Sequence, residues 1–131
     1  MTLPEAELVD RAIRARDASW SPYSKYAVGA AILTTDGRIF CGCNVENASY
    51  GLTVCAERVA IWKAVSEGAR GVAAVAVATR DGAALCGACR QVLREFSRDA
   101  VVFCVDDQRR VRRLDLPSLL PESFGPDNLL S

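Results

Sequence analysis

Leu8, Val9, Ala12 and Ile13 form an apolar stripe with a 3.6-residue period and a charged back, which predicts a helix from Pro4 to Ser19. Thr2 is its expected cap, with Pro4, Glu5 and Glu7 in the first turn. Pro22 forces Ser21 out of the helical region, so Trp20-Ser21-Pro22-Tyr23-Ser24-Lys25-Tyr26 ends the helix. Rich in rings and hydroxyls, this segment reads equally well as a capping turn or as a functional loop.

The pattern then changes. Ala27 to Leu33 and Arg38 to Val45 read as strands joined by Thr34-Thr35-Asp36-Gly37, where Asp-Gly is a hairpin signal. A helix follows from Val54 to Glu67, with Gly68 beyond its end. The continuous run Val72-Ala73-Ala74-Val75-Ala76-Val77-Ala78 predicts a central strand buried on both faces. Cys86 to Phe96 reads as a third helix with Val92, Leu93 and Phe96 inward, Val101 to Val105 and Val111 to Leu114 as strands, and Pro117 to Leu120 as a short last helix. The order α-β-β-α-β-α-β-β describes an α/β fold: one five-stranded mixed sheet with helices packed on it, over residues 1–131 as one domain.

Charge narrows the function. Sixteen Lys and Arg balance sixteen Asp and Glu, and half of the residues are hydrophobic, which argues against a polyanion-binding or membrane-surface protein. No stretch approaches the length of a membrane span and the N-terminal residues do not resemble an export signal, so the expected location is cytoplasmic. In that compartment the six cysteines are expected to be thiols or metal ligands rather than disulfides. Histidine is absent, which removes His ligands, Cys-His dyads and any imidazole base. Proton transfer falls to a carboxylate.

Cys55-Ala56-Glu57-Arg58 and Cys86-Gly87-Ala88-Cys89 each open a predicted helix, where free N–H groups and the helix dipole favour thiolates. Cys86 and Cys89 lie about a turn apart and can reach one ion, with Cys55 as a third ligand from the second helix. Three ligands and a free position describe a catalytic zinc site. Glu57, two residues after Cys55, points away from the ligand direction and is the candidate proton carrier. Three thiolates overcompensate a divalent charge, so Arg58 and Arg90 are candidates to donate hydrogen bonds to cysteine sulfurs, with Gln91 beside them as a further outer partner. Asn44 and Glu46 share one side of an extended chain at a strand end, where spacing alone favours a solvated end over a site. Cys41, Cys43 and Cys104 fall in predicted strands and are expected to pack as small hydrophobes.

Cys55-Ala56-Glu57 with Cys86-Gly87-Ala88-Cys89-Arg90-Gln91 resembles the zinc deaminase signature. The wider resemblance is to the small homotetrameric cytidine deaminases of pyrimidine salvage. It spans nearly the whole chain, through Ser21 to Ser24, Val28 to Ala31, Gly42 to Tyr50, Ala64 to Gly68, Cys86 to Glu95 and Leu120 to Pro126. The resemblance implies a three-layer α/β/α fold, one Zn2+ held by Cys55, Cys86 and Cys89, and Glu57 as the acid/base serving the pyrimidine N3 and the leaving amine. It implies attack of water at C4 of cytidine or 2′-deoxycytidine, giving uridine or 2′-deoxyuridine and ammonia. Asn44 and Glu46 then become binders of the ribose 3′-hydroxyl, reversing the solvated reading. The Ala56 N–H becomes a donor to the base carbonyl, Tyr26 a ring near the base where relatives carry Phe, and Phe124 a ring that closes over a neighbouring subunit's pyrimidine. The chain departs from the pattern at Ala84-Leu85, where relatives carry Ser or Thr and then Pro, and in a connection from Thr79 to Leu85 that is shorter than usual. Trp62 is bulkier than the family's usual residue and is read as core or interface packing.

Two alternatives share the motifs: a deaminase of another aminopyrimidine, such as blasticidin S, and a structural zinc module with Cys43 or Cys104 as fourth ligand. Asn44-Val45-Glu46-Asn47 and Phe124-Gly125-Pro126 favour the nucleoside, and the glutamate fits a structural module poorly.

Overall fold

A computed structural model describes residues 2–130. Helix α1 (Glu5–Arg16) precedes the hairpin β1 (Gly29–Thr34) and β2 (Ile39–Cys43); α2 (Ala56–Ser66), β3 (Val72–Ala78), α3 (Gly87–Phe96), β4 (Val101–Val105), β5 (Val111–Asp115) and the one-turn α4 (Leu116–Leu119) follow. The five strands lie in the order β2-β1-β3-β4-β5, antiparallel except for β3 and β4. This is a mixed sheet in an α/β fold, as the element order predicts.

Alternation along the strands builds the layers. Ala31, Ala74, Ala76, Ala78 and Phe103 pack with Leu8, Val9 and Ala12 of α1 on one face. Ala30, Ile32, Val75, Val77 and Val102 pack with Ala56, Ala60 and Ile61 of α2 and Leu93 of α3 on the other. The architecture is therefore α/β/α. The second face depends on Gly42, where a Cβ would stand 2.7 Å from both the Ala56 carbonyl and the Ala60 nitrogen. Only glycine lets α2 lie this close to β2.

Several element ends differ from the sequence reading. Thr2 does not cap α1: the N-cap is Pro4, with no side-chain bond, and the helix begins at Glu5. It ends at Arg16 because Asp17, Ala18 and Ser19 switch to bonds reaching back only three residues, at 3.1 Å each. The strand predicted from Ala27 starts at Gly29, because the Asn44 side chain takes the Val28 N–H and the Tyr26 carbonyl, and Arg16 Nε takes the Ala27 carbonyl. The strand predicted to Val45 stops at Cys43, and Val45 instead forms bridges with Trp20 and Val54. Cys55 and Cys86 stand just outside their helices as N-caps in extended conformation. The last helix begins one residue early, at Leu116, with the Asp115 side chain accepting from the Ser118 N–H at 2.9 Å.

Register sets where the site lies. Gly29 is opposite both Cys43 and Ala78, so residues 26–28, 44–46 and 79–81 emerge together at one end of the sheet. The N-termini of α2 and α3 complete that end.

Candidate metal centre

The three cysteines predicted as ligands converge there. The Sγ of Cys55 is 3.8 Å from that of Cys86, Cys86 is 3.4 Å from Cys89, and all three sulfurs lie within 4.8 Å of one another. Tetrahedral zinc with bonds of about 2.3 Å requires sulfurs about 3.8 Å apart, so the set fits that ion. No other His, Cys, Asp or Glu joins the group among the described residues. Cys104 is buried in β4, Cys41 and Cys43 are half-buried in β2, and none supplies a fourth ligand. The structural-module alternative therefore loses its donor.

The surroundings charge this set unevenly. Hydrogen bonding from Cys89, followed by that from Arg58 and Cys86, outweighs burial and brings the Cys55 thiol down to about 5. Cys89 moves the opposite way, through its bond to Cys55 and then its burial. A bound divalent ion would release the remaining thiol protons. Arg58 Nη2 donates to Cys55 Sγ at 3.2 Å, and Arg58 Nε is a buried donor with no partner. Such a surplus of donors suits sulfurs carrying negative charge.

Arg90 does not take the outer position expected of it. Its Nε donates to the Leu85 carbonyl at 2.8 Å and its Nη1 to the Leu119 carbonyl at 2.8 Å, pinning the chain on both sides of α3 rather than a sulfur. Gln91 likewise reaches outward, Nε2 donating to the Phe124 carbonyl at 2.9 Å.

Glu57, in the first turn of α2, is only 5% exposed. Burial raises its carboxyl to about 7, with the negative charge of Cys55 adding to the effect. A nearby divalent cation pulls in the other direction by favouring the carboxylate. Burial and a neighbouring cation thus act on this carboxyl in opposite directions.

A cavity of about 280 Å³ opens beside these groups, and Cys55, Ala56, Glu57 and Cys86 line it together with Tyr26, Asn44, Glu46 and Thr79. Asn44 is buried and much of its capacity is structural. Its Oδ1 accepts from Val28 N–H at 2.9 Å and from the Ser19 hydroxyl, and its Nδ2 donates to the Tyr26 carbonyl at 2.8 Å. Glu46 accepts from the N–H groups of Tyr23 at 2.9 Å and Ser24 at 3.2 Å, and from the Ser24 hydroxyl. These bonds, led by that of Ser24, hold its carboxyl below the usual range. Ser24 and Tyr26 thus bring the segment from Trp20 to Tyr26 to the cavity, and it is not merely a capping turn.

Phe124 is 59% exposed and does not line this cavity. The segment carrying it is anchored by a residue that sequence reasoning missed. Arg94 is buried in α3, where Nε donates to Ser123 Oγ at 2.9 Å and Nη2 to Asp127 at 2.6 Å. Gly125 packs against it so closely that a Cβ would stand 2.4 Å from the guanidinium carbon. The i,i+4 spacing from Arg90 was the one hint that Arg94 faces inward. Trp62 is about half exposed, so the core half of its reading does not hold.

Residues 4–105 match the family model described as the cytidine and deoxycytidylate deaminase zinc-binding region. The chain is 45% identical over 125 residues to a cytidine deaminase of Halalkalibacterium halodurans, covering 93% of this chain and 95% of that one. The crystal structure of a cytidine deaminase from Burkholderia pseudomallei superposes with a TM-score of 0.88 at 43% identity, over 93% of this chain and all of the other. That of a cytidine deaminase from Mycobacterium tuberculosis gives 0.81 at 41% identity, over 95% and 99%.

Proposed function

The chain belongs to the zinc-binding cytidine and deoxycytidylate deaminase family, and on that premise we propose that it hydrolyses cytidine and 2′-deoxycytidine to uridine and 2′-deoxyuridine with release of ammonia. The observation that carries this reading is the position of Glu57 beside three convergent thiols in one cavity. Cys55, Cys86 and Cys89 would hold one Zn2+, which when bound supplies a Lewis acid able to make water nucleophilic near neutral pH. Arg58, bonded to Cys55, lessens the negative charge that three thiolates would otherwise concentrate there.

Glu57 takes the proton from the attacking water and delivers it to N3 of the pyrimidine as the C–O bond forms at C4. It then carries the second proton to the departing amine, so that the C–N bond breaks to ammonia and the carboxylate is regenerated. Its burial beside the thiols supports both roles, since burial eases protonation of the carboxyl while a neighbouring cation favours the carboxylate. Asn44 and Glu46 bind the ribose 3′-hydroxyl, the Ala56 N–H donates to the base carbonyl, and Tyr26 lies along the base. All four residues line the cavity, which supports these assignments.

Phe124 closes over the pyrimidine of a neighbouring subunit in a homotetramer. Its exposure, with that of Tyr50, Leu52 and Trp62, supports a partner surface. A site built on thiols suits a reducing cytoplasm and a place in pyrimidine salvage. No helix among the described residues is long and apolar enough to cross a membrane.

One assay tests the reading: the fall in cytidine absorbance with the protein as purified, after chelation, and after zinc is restored. Turnover lost to the chelator and recovered with zinc is expected. Absence of turnover on cytidine and 2′-deoxycytidine, with turnover of blasticidin S, would replace the substrate.

A further inference from the structure

The connection from Thr79 to Leu85 forms one wall of the cavity through Thr79, Ala83 and Ala84. It contains no proline, and Gly82, Ala83 and Ala84 bring little side-chain mass to stiffen it. Polar contacts hold it instead. Thr79 Oγ1 accepts from Gly82 N–H at 2.8 Å and Ala83 N–H at 3.1 Å, and Arg112 Nη2 donates to the Gly82 carbonyl at 3.0 Å. All of these bonds come from the connection itself or from β5 behind it.

One further bond joins it to the adjoining wall. Tyr26, on the segment that leads into β1 and runs beside residues 79–81, donates its hydroxyl to Asp81 Oδ1 at 2.6 Å, and the same carboxylate oxygen receives Thr79 Oγ1 at 3.2 Å and Ala83 N–H at 3.3 Å. The Arg80 guanidinium lies 4.9 Å from the centre of the Tyr26 ring, completing the clasp from outside. Asp81 itself is exposed and does not line the cavity. Its effect on anything bound there must run through Tyr26 and through the backbone it holds.

We propose that the Tyr26–Asp81 bond is a latch between two adjoining walls of the cavity, and that Asp81 is a positioning residue that sets how tightly the nucleoside is held without taking part in proton transfer. The latch ties the ring beside the base to the wall formed by Ala83 and Ala84, so both move as one unit. Without it, Tyr26 keeps its place on the first wall while the second relaxes. Occupancy suffers; Glu57, carried by α2 and by neither of these two segments, does not. This rests on the cytidine reading above.

Steady-state kinetics of the zinc-loaded protein test the latch, alongside amide exchange of the 79–85 segment, which needs no substrate. Asp81→Ala is expected to raise KM for cytidine about three- to ten-fold, the loss of one net hydrogen bond, with kcat within about two-fold. Asp81→Asn, which keeps an acceptor for the Tyr26 hydroxyl, is expected to restore most of that affinity. Tyr26→Phe should raise exchange of 79–85 as Asp81→Ala does, and the double variant should add little to either single change. An unchanged KM in Asp81→Ala, or effects that multiply in the double variant, would overturn the latch. A wild-type protein that exchanges as expected but turns over no cytidine refutes the substrate reading instead, and exchange unaltered by Tyr26→Phe refutes the latch whatever the substrate.

Discussion

Arg58 Nη2 lies 3.2 Å from Cys55 Sγ, one helical turn into α2 from the N-cap position that presents the thiol. The contact places a permanent cation against the sulfur whose thiol is brought down to about 5. Arg58→Gln, which keeps a donor but loses the charge, is expected to weaken zinc binding about ten- to a hundred-fold, measured by competition with a chromogenic chelator. Unchanged zinc affinity together with an unchanged pH profile of activity would remove this role.

Glu57 is buried beside the thiols and no histidine exists to replace it. Glu57→Gln preserves shape and removes the carboxyl that can accept and donate a proton. Turnover of cytidine should fall about 10²- to 10⁴-fold while the zinc content, read by elemental analysis, stays at the wild-type value. Retained activity would assign proton transfer elsewhere.

Asn44 bonds to Ser19, Tyr26 and Val28 at once, so it holds the rim as well as facing the cavity. Asn44→Ala leaves buried partners unpaired and should cost about 2–4 kcal/mol of stability by denaturant titration, beyond any loss of substrate affinity. A variant as stable as wild type would mean that the three contacts contribute nothing.

Arg94 ties the segment bearing Phe124 to α3 through Ser123 and Asp127. Arg94→Leu should therefore expose residues 120–130 to limited proteolysis while leaving zinc content unchanged. Equal protease resistance would show that the segment is held by other contacts.

The same anchor predicts a pH dependence. The bond from Arg94 is the main cause holding the Asp127 carboxyl below its ordinary value. A depressed pKa in the folded state means stabilisation that is complete above the unfolded value and lost as pH falls through the folded one. Amide exchange of the 120–130 segment should accordingly rise only as pH drops below the ordinary carboxylate range, near 4, and Asp127→Asn should abolish that step.

Much of this protein was legible in the chain itself. The stripe in α1, the Asp-Gly turn and the seven-residue apolar run from Val72 to Ala78 each follow from local period and backbone chemistry, so those elements form where expected. The cysteine triad was legible for the same reason, since both motifs sit at helix starts and only their convergence had to be supplied. Tertiary structure decided what depends on register and approach. Gly29 pairing with both Cys43 and Ala78 brings three distant segments to one end of the sheet, and no local signal encodes that alignment. Arg58 and Arg90 look alike beside their motifs, yet one meets a sulfur and the other two carbonyls, because the choice is set by what packs across from each helix. Arg94 and the Tyr26–Asp81 bond lay beyond sequence reasoning on the same ground: a contact between residues 55 positions apart exists only once the sheet has brought its walls together.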